Sequence, residues 1–161
     1  MNKIQPAARL AAILEEHRRR GRTVAFANGL FDLLHVGHVR YLSAAAREGD
    51  ILVVGVNSDA SARALKGKGR PIVPADERAE IVAALEPVAY VVIFDEPTCD
   101  TLLALLKPDV HCKGTDYTQE SVPEAATVKS YGGRVAIVGD PKDHASRDLI
   151  TAIRSLGTEG A

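Results

Sequence analysis

Five short runs rich in β-branched and apolar residues recur along this chain, each followed by a turn or helix-start signal and then by a longer helical stretch. They are Thr23 to Ala27, Ile51 to Asn57, Tyr90 to Phe94, Val110 to Lys113 and Arg134 to Val138. A parallel strand pair needs a crossover, and crossover helices bury both faces of a sheet, so such runs belong in a parallel sheet covered on both sides. The expected fold is α/β: a Rossmann-like single domain with a five-stranded parallel sheet of order 3-2-1-4-5 flanked by helices. Helices are expected from Ile4 to Arg20, Val36 to Glu48, Pro74 to Leu85, Thr98 to Leu106, Pro123 to Tyr131 and Ser146 to Leu156. Ser58-Asp59 and Thr98-Cys-Asp100 offer N-cap chemistry, and Gly49, Gly132-Gly133 and Gly157 offer helix stops. The expected organisation is an N-terminal helix over residues 1–21, the main domain over 22–157 and a tail over 158–161.

With 161 residues and 46% hydrophobic content the chain can bury a real core. Lys plus Arg number 20 against 21 for Asp plus Glu, so no overall basic field exists to attract nucleic acid or an acidic membrane, and any anion site must be local. Met1 to Arg20 has no apolar signal-like core and no run is long enough to span a bilayer, so a cytoplasmic protein is expected. Cys99 and Cys112 are too few and too poorly spaced for a zinc site and are expected to be ordinary reduced thiols, with no protein-borne metal site.

The chemistry concentrates after the first strand. Asn28-Gly29 is expected to break that strand, and a helix pattern opens near Val36 with His35 and His38 at its start. Such a turn aims backbone N–H groups and the positive end of a helix at an anion above the carboxyl edge of the sheet, and phosphate is the natural guest. His35 and His38 are three apart, so on a helix they share a face, and Gly37 between them removes a side chain that would hold a ligand away. Both imidazoles can then donate to one phosphate chain. The plainer alternatives are two half-buried histidines at a helix start, or a metal pair, for which no third ligand is in sight. Lys66 to Pro74 interrupts the strand and helix rhythm with a glycine-rich basic stretch, which reads as a lid or as a solvated loop.

The segment from Asn28 to His38 resembles the His-x-Gly-His signature of the nucleotidyltransferase superfamily that includes cytidylyltransferases and class I aminoacyl-tRNA synthetases. Asn28-Gly-Leu-Phe-Asp32, Val56-Asn-Ser-Asp59, Leu65-Lys-Gly-x-Gly-Arg-Pro71, Arg78 with Leu85, and Lys113-Gly-x-Asp-Tyr117 resemble, in order and spacing, the heptose 1-phosphate adenylyltransferases. Those enzymes make ADP-heptose for lipopolysaccharide. The resemblance covers residues 22 to about 155, and implies transfer of AMP from ATP to a sugar 1-phosphate with Mg2+ bridging the phosphates. It also implies a homodimer, and a separate sugar kinase and phosphatase in the pathway, since the chain has no room for a fused kinase.

The roles it implies fall on named positions. His35, His38, Lys66 and Lys113 are the expected catalytic set. Nucleotide binding is expected from Asn28, Gly29, Leu30, Phe31, Gly37, His38, Arg78, Lys113, Gly114, Ser146 and Arg147. Substrate binding is expected from Asp32, Asn57, Asp59, Lys66, Arg70, Asp116 and Tyr117. Several of these carry a second reading. Arg78 reaches phosphate or pairs with Asp76, Glu77 or Glu80 on a solvated face; Asp116 forms a turn and Tyr117 packs; Arg147 points inward or lies on the surface. One departure stands out: relatives commonly place Ser-Thr-Thr at the start of the last helix, and this chain has Ala145-Ser146-Arg147. Two rivals follow, a cytidylyltransferase of glycerol 3-phosphate or a similar phosphoester, and a nucleotide-binding regulator that has lost turnover.

Overall fold

A computed structural model describes residues 2–157 of the chain. The elements run α1 (Ala7–Arg19), β1 (Val24–Gly29), α2 (Val36–Ala45), β2 (Ile51–Asn57), α3 (Asp59–Lys66), α4 (Ala75–Ala83), β3 (Tyr90–Phe94), α5 (Asp100–Leu106), β4 (Val110–Lys113), α6 (Ala125–Ser130), β5 (Arg134–Ile137) and α7 (Ser146–Leu156), with a short 3-10 turn over Ala46–Glu48. The sheet is five-stranded and parallel throughout, in the order β3-β2-β1-β4-β5. The chain reverses its winding between β1 and β4, so their carboxyl ends open a crevice where the expected site residues cluster. The expected tail over 158–161 lies outside the described residues.

The side-chain alternation of β1 divides the core. Ala25 and Ala27 face α2 and α4, meeting Leu42, Ala79 and Val82, all fully buried. Val24 and Phe26 face the other way, against Leu10 and Leu14 of α1, Leu103 of α5 and Val128 of α6. The N-terminal segment is tied to the sheet as well as packed on it: the Gln5 N–H donates to Val91 O and the Val91 N–H to Lys3 O, each at 2.9 Å. Among the described residues, no helix is long and apolar enough to cross a membrane.

Two local expectations need correction. Asn28-Gly29 does not break β1; both residues pair with β2, opposite Gly55 and Val56. The left-handed backbone falls instead on Phe31 (φ 51°) and Leu33 (φ 59°), where a side chain makes it costly. The second correction is α3. Its sequence has no large apolar stripe, and the residues it buries are Ser61 and Ala62, so hydrophobic periodicity could not reveal it. Its cap was visible: Ser58 accepts the Ser61 N–H.

Candidate active site

At the start of α2 the two histidines close a reciprocal cap. The Gly37 N–H donates to His35 Nδ1 at 3.1 Å, and the His35 N–H donates to His38 Nδ1 at 3.3 Å. Helix termini leave such N–H groups without partners, and here the imidazoles supply them. An Nδ1 that accepts must carry its lone pair, so in each neutral ring the proton sits on Nε2. The rings stack with centroids 3.9 Å apart. A Cβ on Gly37 would stand 2.9 Å from the His35 ring, so Gly37 makes room for the cap itself, before any question of a ligand.

Burial lowers the His38 pKa to about 4, with the neighbouring His35 and Lys142 adding to the shift. The His35 value is also lowered, by burial first and then by His144. Both rings are therefore neutral near pH 7. The pair presents two Nε2–H donors beside the N-terminus of a ten-residue helix, a suitable receptor for phosphate oxygens.

Lys113 ends β4 beside this constellation. Its Nζ donates to Asn28 Oδ1 at 3.3 Å, stands 3.6 Å from Glu124 Oε2, and lies 4.9 Å from the centre of the Tyr117 ring. Tyr41, one helical turn after His38, donates its hydroxyl proton to Cys112 O at 2.8 Å and so ties α2 to β4. Lys113 is buried, not a surface lysine. Asp116 pairs with Lys142 at 2.9 Å, which joins the loop after β4 to the loop after β5.

Other expected contacts are occupied from within. The Asp32 carboxylate, expected on sugar hydroxyls, accepts from Arg70 Nε at 2.8 Å and from the N–H groups of Ile72 at 2.9 Å and Val73 at 3.0 Å. Burial pushes its pKa up, but these three donors outweigh burial and hold it below the ordinary value. Arg70 is thereby an anchor of the 67–74 loop, whereas Lys66 and Lys68 are exposed. Gly67 and Gly69 adopt φ of +89° and +87°, conformations that glycine takes at little cost. The basic stretch is therefore pinned at its Asp32 end and open at its lysines.

Arg78 corrects both of its readings. It is 1% exposed, neither on a solvated face nor free for phosphate. Its guanidinium donates to Val73 O at 2.8 Å, to Leu30 O, and to Asp59 Oδ1 at 2.9 Å. Asp59 is thus engaged by Arg78, and Asn57, 3% exposed, donates to Ser61 Oγ at 2.9 Å. Asn57 is therefore enclosed, whereas the Asp59 side chain is 43% exposed and held by Arg78. Ser146 does not cap α7; its hydroxyl donates to Asp32 O at 2.6 Å, binding the last helix to the signature loop. Arg147 is exposed. Leu30, Phe31 and Gly114 place backbone at the carboxyl ends of β1 and β4, and the Phe31 ring lies 5.3 Å from that of His38.

Sequence reasoning missed Glu124 and His111. Cys99, His111 and Glu124 are all buried, and their donor atoms lie within 4.8 Å of one another, close enough for a cation. Burial pushes both cysteine thiols upward, Cys112 to about 12 and Cys99 further, and neither cysteine is in a disulfide. The usable signal was parity: residues two apart on a strand share a face, so His111 and Lys113 had to point the same way. Glu124 carried no signal, because only the β4 to α6 connection brings it there.

A parallel sheet with its crevice at the β1/β4 switch point defines the nucleotide-binding class of α/β fold. Residues 26–153 match the cytidylyltransferase-like family model, and the chain belongs to that family. Among curated relatives, it is 51% identical over 159 residues to the bifunctional protein HldE of Syntrophotalea carbinolica and 50% identical over 158 residues to that of Geobacter metallireducens. These alignments cover 99% and 98% of this chain but 32% of each relative, so the chain spans about a third of their length. A lipopolysaccharide core biosynthesis protein from Thermoplasma volcanium superposes with a TM-score of 0.65 at 27% identity, over 76% of this chain and 100% of that one.

Two outcomes are expected from this geometry. Arg78→Ala should cost about 1–3 kcal/mol, because it removes the buried donor on which the Leu30 and Val73 carbonyls depend. Urea unfolding measures this, and a loss below about 1 kcal/mol contradicts the assignment. The second concerns pH. Unfolded His38 titrates at its ordinary 6.5 and folded His38 at about 4, so between these values the unfolded state holds the extra proton. Stability should therefore fall as pH drops through that window. His38→Asn should flatten the decline in melting temperature, and an unchanged slope contradicts it.

Proposed function

We propose that this chain transfers AMP from ATP to D-glycero-β-D-manno-heptose 1-phosphate, giving ADP-heptose and pyrophosphate in the cytoplasm. The observation that carries the reading is the capped histidine pair at a helix N-terminus, whose Nδ1 atoms are taken by backbone N–H groups so that Nε2 is left as the donor of each ring. In the reaction an oxygen of the sugar 1-phosphate attacks the α-phosphorus in line, a new P–O bond forms, and the bond to the pyrophosphate oxygen breaks. The attacking oxygen is already anionic, so no general base is needed and catalysis reduces to alignment and charge stabilisation. His35 and His38 donate to the triphosphate oxygens, and Lys113 supplies positive charge at the carboxyl end of β4. The amides of Asn28, Gly29, Leu30, Phe31 and Gly114 line the phosphate path, and Lys66 closes over it from the glycine-flanked loop.

Mg2+ would arrive with the triphosphate and draw charge from its oxygens. The acidic side chains Asp32, Asp59 and Asp116 are each engaged by a cation, which supports a phosphate-borne ion over a protein cage. The choice of heptose rests on Lys113-Gly-Thr-Asp-Tyr117, and is supported by the HldE relatives and by the lipopolysaccharide core biosynthesis protein among the structural neighbours. On this reading kinase and phosphatase activities supply the sugar 1-phosphate. The exposed Leu149, Ile153 and Leu156 along α7 support a homodimer. A cytidylyltransferase reading shares the family and the histidine cap, and differs in the nucleobase and acceptor.

Four nucleoside triphosphates assayed against a set of sugar and polyol phosphates with Mg2+, scored by pyrophosphate release, test the proposal. ATP with heptose 1-phosphate should be the preferred pair, and His38→Ala should lower its turnover by about two to three orders of magnitude, the scale of losing one transition-state donor. Preference for CTP with glycerol 3-phosphate selects the other reading. Nucleotide binding without pyrophosphate release from any pair rejects the enzyme.

A further inference from the structure

Beneath Lys113 lies a buried polar cluster that the transfer reaction does not itself touch. His111 is fully buried, Glu124 is 2% exposed and Lys113 is 7% exposed. Glu124 is the N-cap residue of α6, and its Oε2 stands 3.6 Å from both His111 Nε2 and Lys113 Nζ. Its other oxygen accepts from the Cys99 thiol at 3.5 Å. The His111 ring is stacked against Phe26 with centroids 5.8 Å apart, and neither ring nitrogen has a full hydrogen bond. The carboxylate therefore sits between an imidazole and an ammonium on the same face of β4.

A carboxylate this deep in an apolar layer persists only with a compensating charge, and a buried ammonium has the same requirement. Burial pushes Glu124 up, yet His111 and then Lys113 outweigh it and hold the carboxyl at about 2. Cys99 keeps its proton and His111 is neutral, its pKa lowered chiefly by burial. The cluster thus balances as one carboxylate and one ammonium. Although Cys99, His111 and Glu124 are close enough together to hold a cation, the positive position opposite Glu124 is already filled by Lys113.

An ammonium has three donors. Asn28 Oδ1 takes one at 3.3 Å, and Glu124 at 3.6 Å attracts by charge without a full hydrogen bond, which leaves donor capacity for a phosphate oxygen. The Tyr117 ring lies against the same cation. We propose that Glu124 is a positioning residue for nucleotidyl transfer: backed by His111, it holds the Lys113 ammonium at the carboxyl edge of β1 and β4, where phosphate binds. This rests on the phosphate contact assigned to Lys113 in the function proposed above.

The test is a double-variant cycle read in two ways on the full chain. Pyrophosphate release is measured for the parent, Glu124→Gln, Lys113→Ala and the double variant. In parallel, the Lys113 Cε resonance is titrated with pH by NMR, identified by its disappearance in Lys113→Ala. Glu124→Gln should lower kcat about tenfold or more and should change kcat by less than about twofold when Lys113 is already Ala, since coupled residues are not additive. Its Lys113 midpoint should move down by about one unit or more, as for a buried ammonium deprived of its counter-ion. A loss that multiplies in full on the Lys113→Ala background, or an unmoved midpoint, overturns the proposal. If the parent releases no pyrophosphate, the functional reading fails and the midpoint alone decides whether Glu124 governs Lys113. Should Glu124→Gln not fold, Glu124→Asp, which draws the charge back by one methylene, is held to the same two criteria.

Discussion

The cap at the head of α2 is the interaction on which the site depends. Two backbone N–H groups that any helix would leave unpaired are accepted by Nδ1 of His35 and Nδ1 of His38. That bond does two things at once: it begins the helix, and it forces the mobile proton of each ring onto the nitrogen that remains. Burial then keeps the rings neutral, so the donors carry no charge of their own to be neutralised before an anion arrives. The arrangement suits a reaction with an anionic nucleophile, in which the protein aligns donors and moves no proton.

Around this cap, the polar side chains that look like ligands mostly build its frame. Asp32 gathers Arg70, Ile72 and Val73, while its own carbonyl accepts from Ser146. Arg78 reaches from α4 to Leu30, Val73 and Asp59. The signature loop, the basic loop, α3 and α7 are therefore fixed to one another by buried ionic and backbone contacts. Such networks contribute geometry more than net stability, since the desolvation of each charge offsets much of its attraction. Here the geometry is a loop that must hold Phe31 and Leu33 in left-handed conformations.

The sheet was legible in the sequence because parallel strands buried on both faces read as apolar runs, and β2 and β4 have the boundaries those runs suggest. The last helix was legible for a similar reason, its apolar residues recurring at helical spacing. α3 was not, because it buries Ser61 and Ala62 and offers no apolar stripe. At the site, His35, His38 and Lys113 stood out because local order placed them at a strand end or a helix start. Arg78 and Asn57 carry the same side-chain chemistry as ligands, and their burial depends on contacts across as many as 48 positions in sequence. Glu124 lay beyond reach altogether, since its partner Lys113 is set by the packing of α6 on β4.

The central claim is that backbone capping sets the imidazole tautomers and so makes the phosphate donors. Nitrogen-15 NMR of the histidine rings near pH 7, without and with ATP, tests it most directly. The account predicts that His35 and His38 are both neutral with the proton on Nε2, and that ATP perturbs Nε2 of both rings while Nδ1 stays unprotonated. A proton on Nδ1 of either ring, or rings that do not respond to ATP, would contradict it.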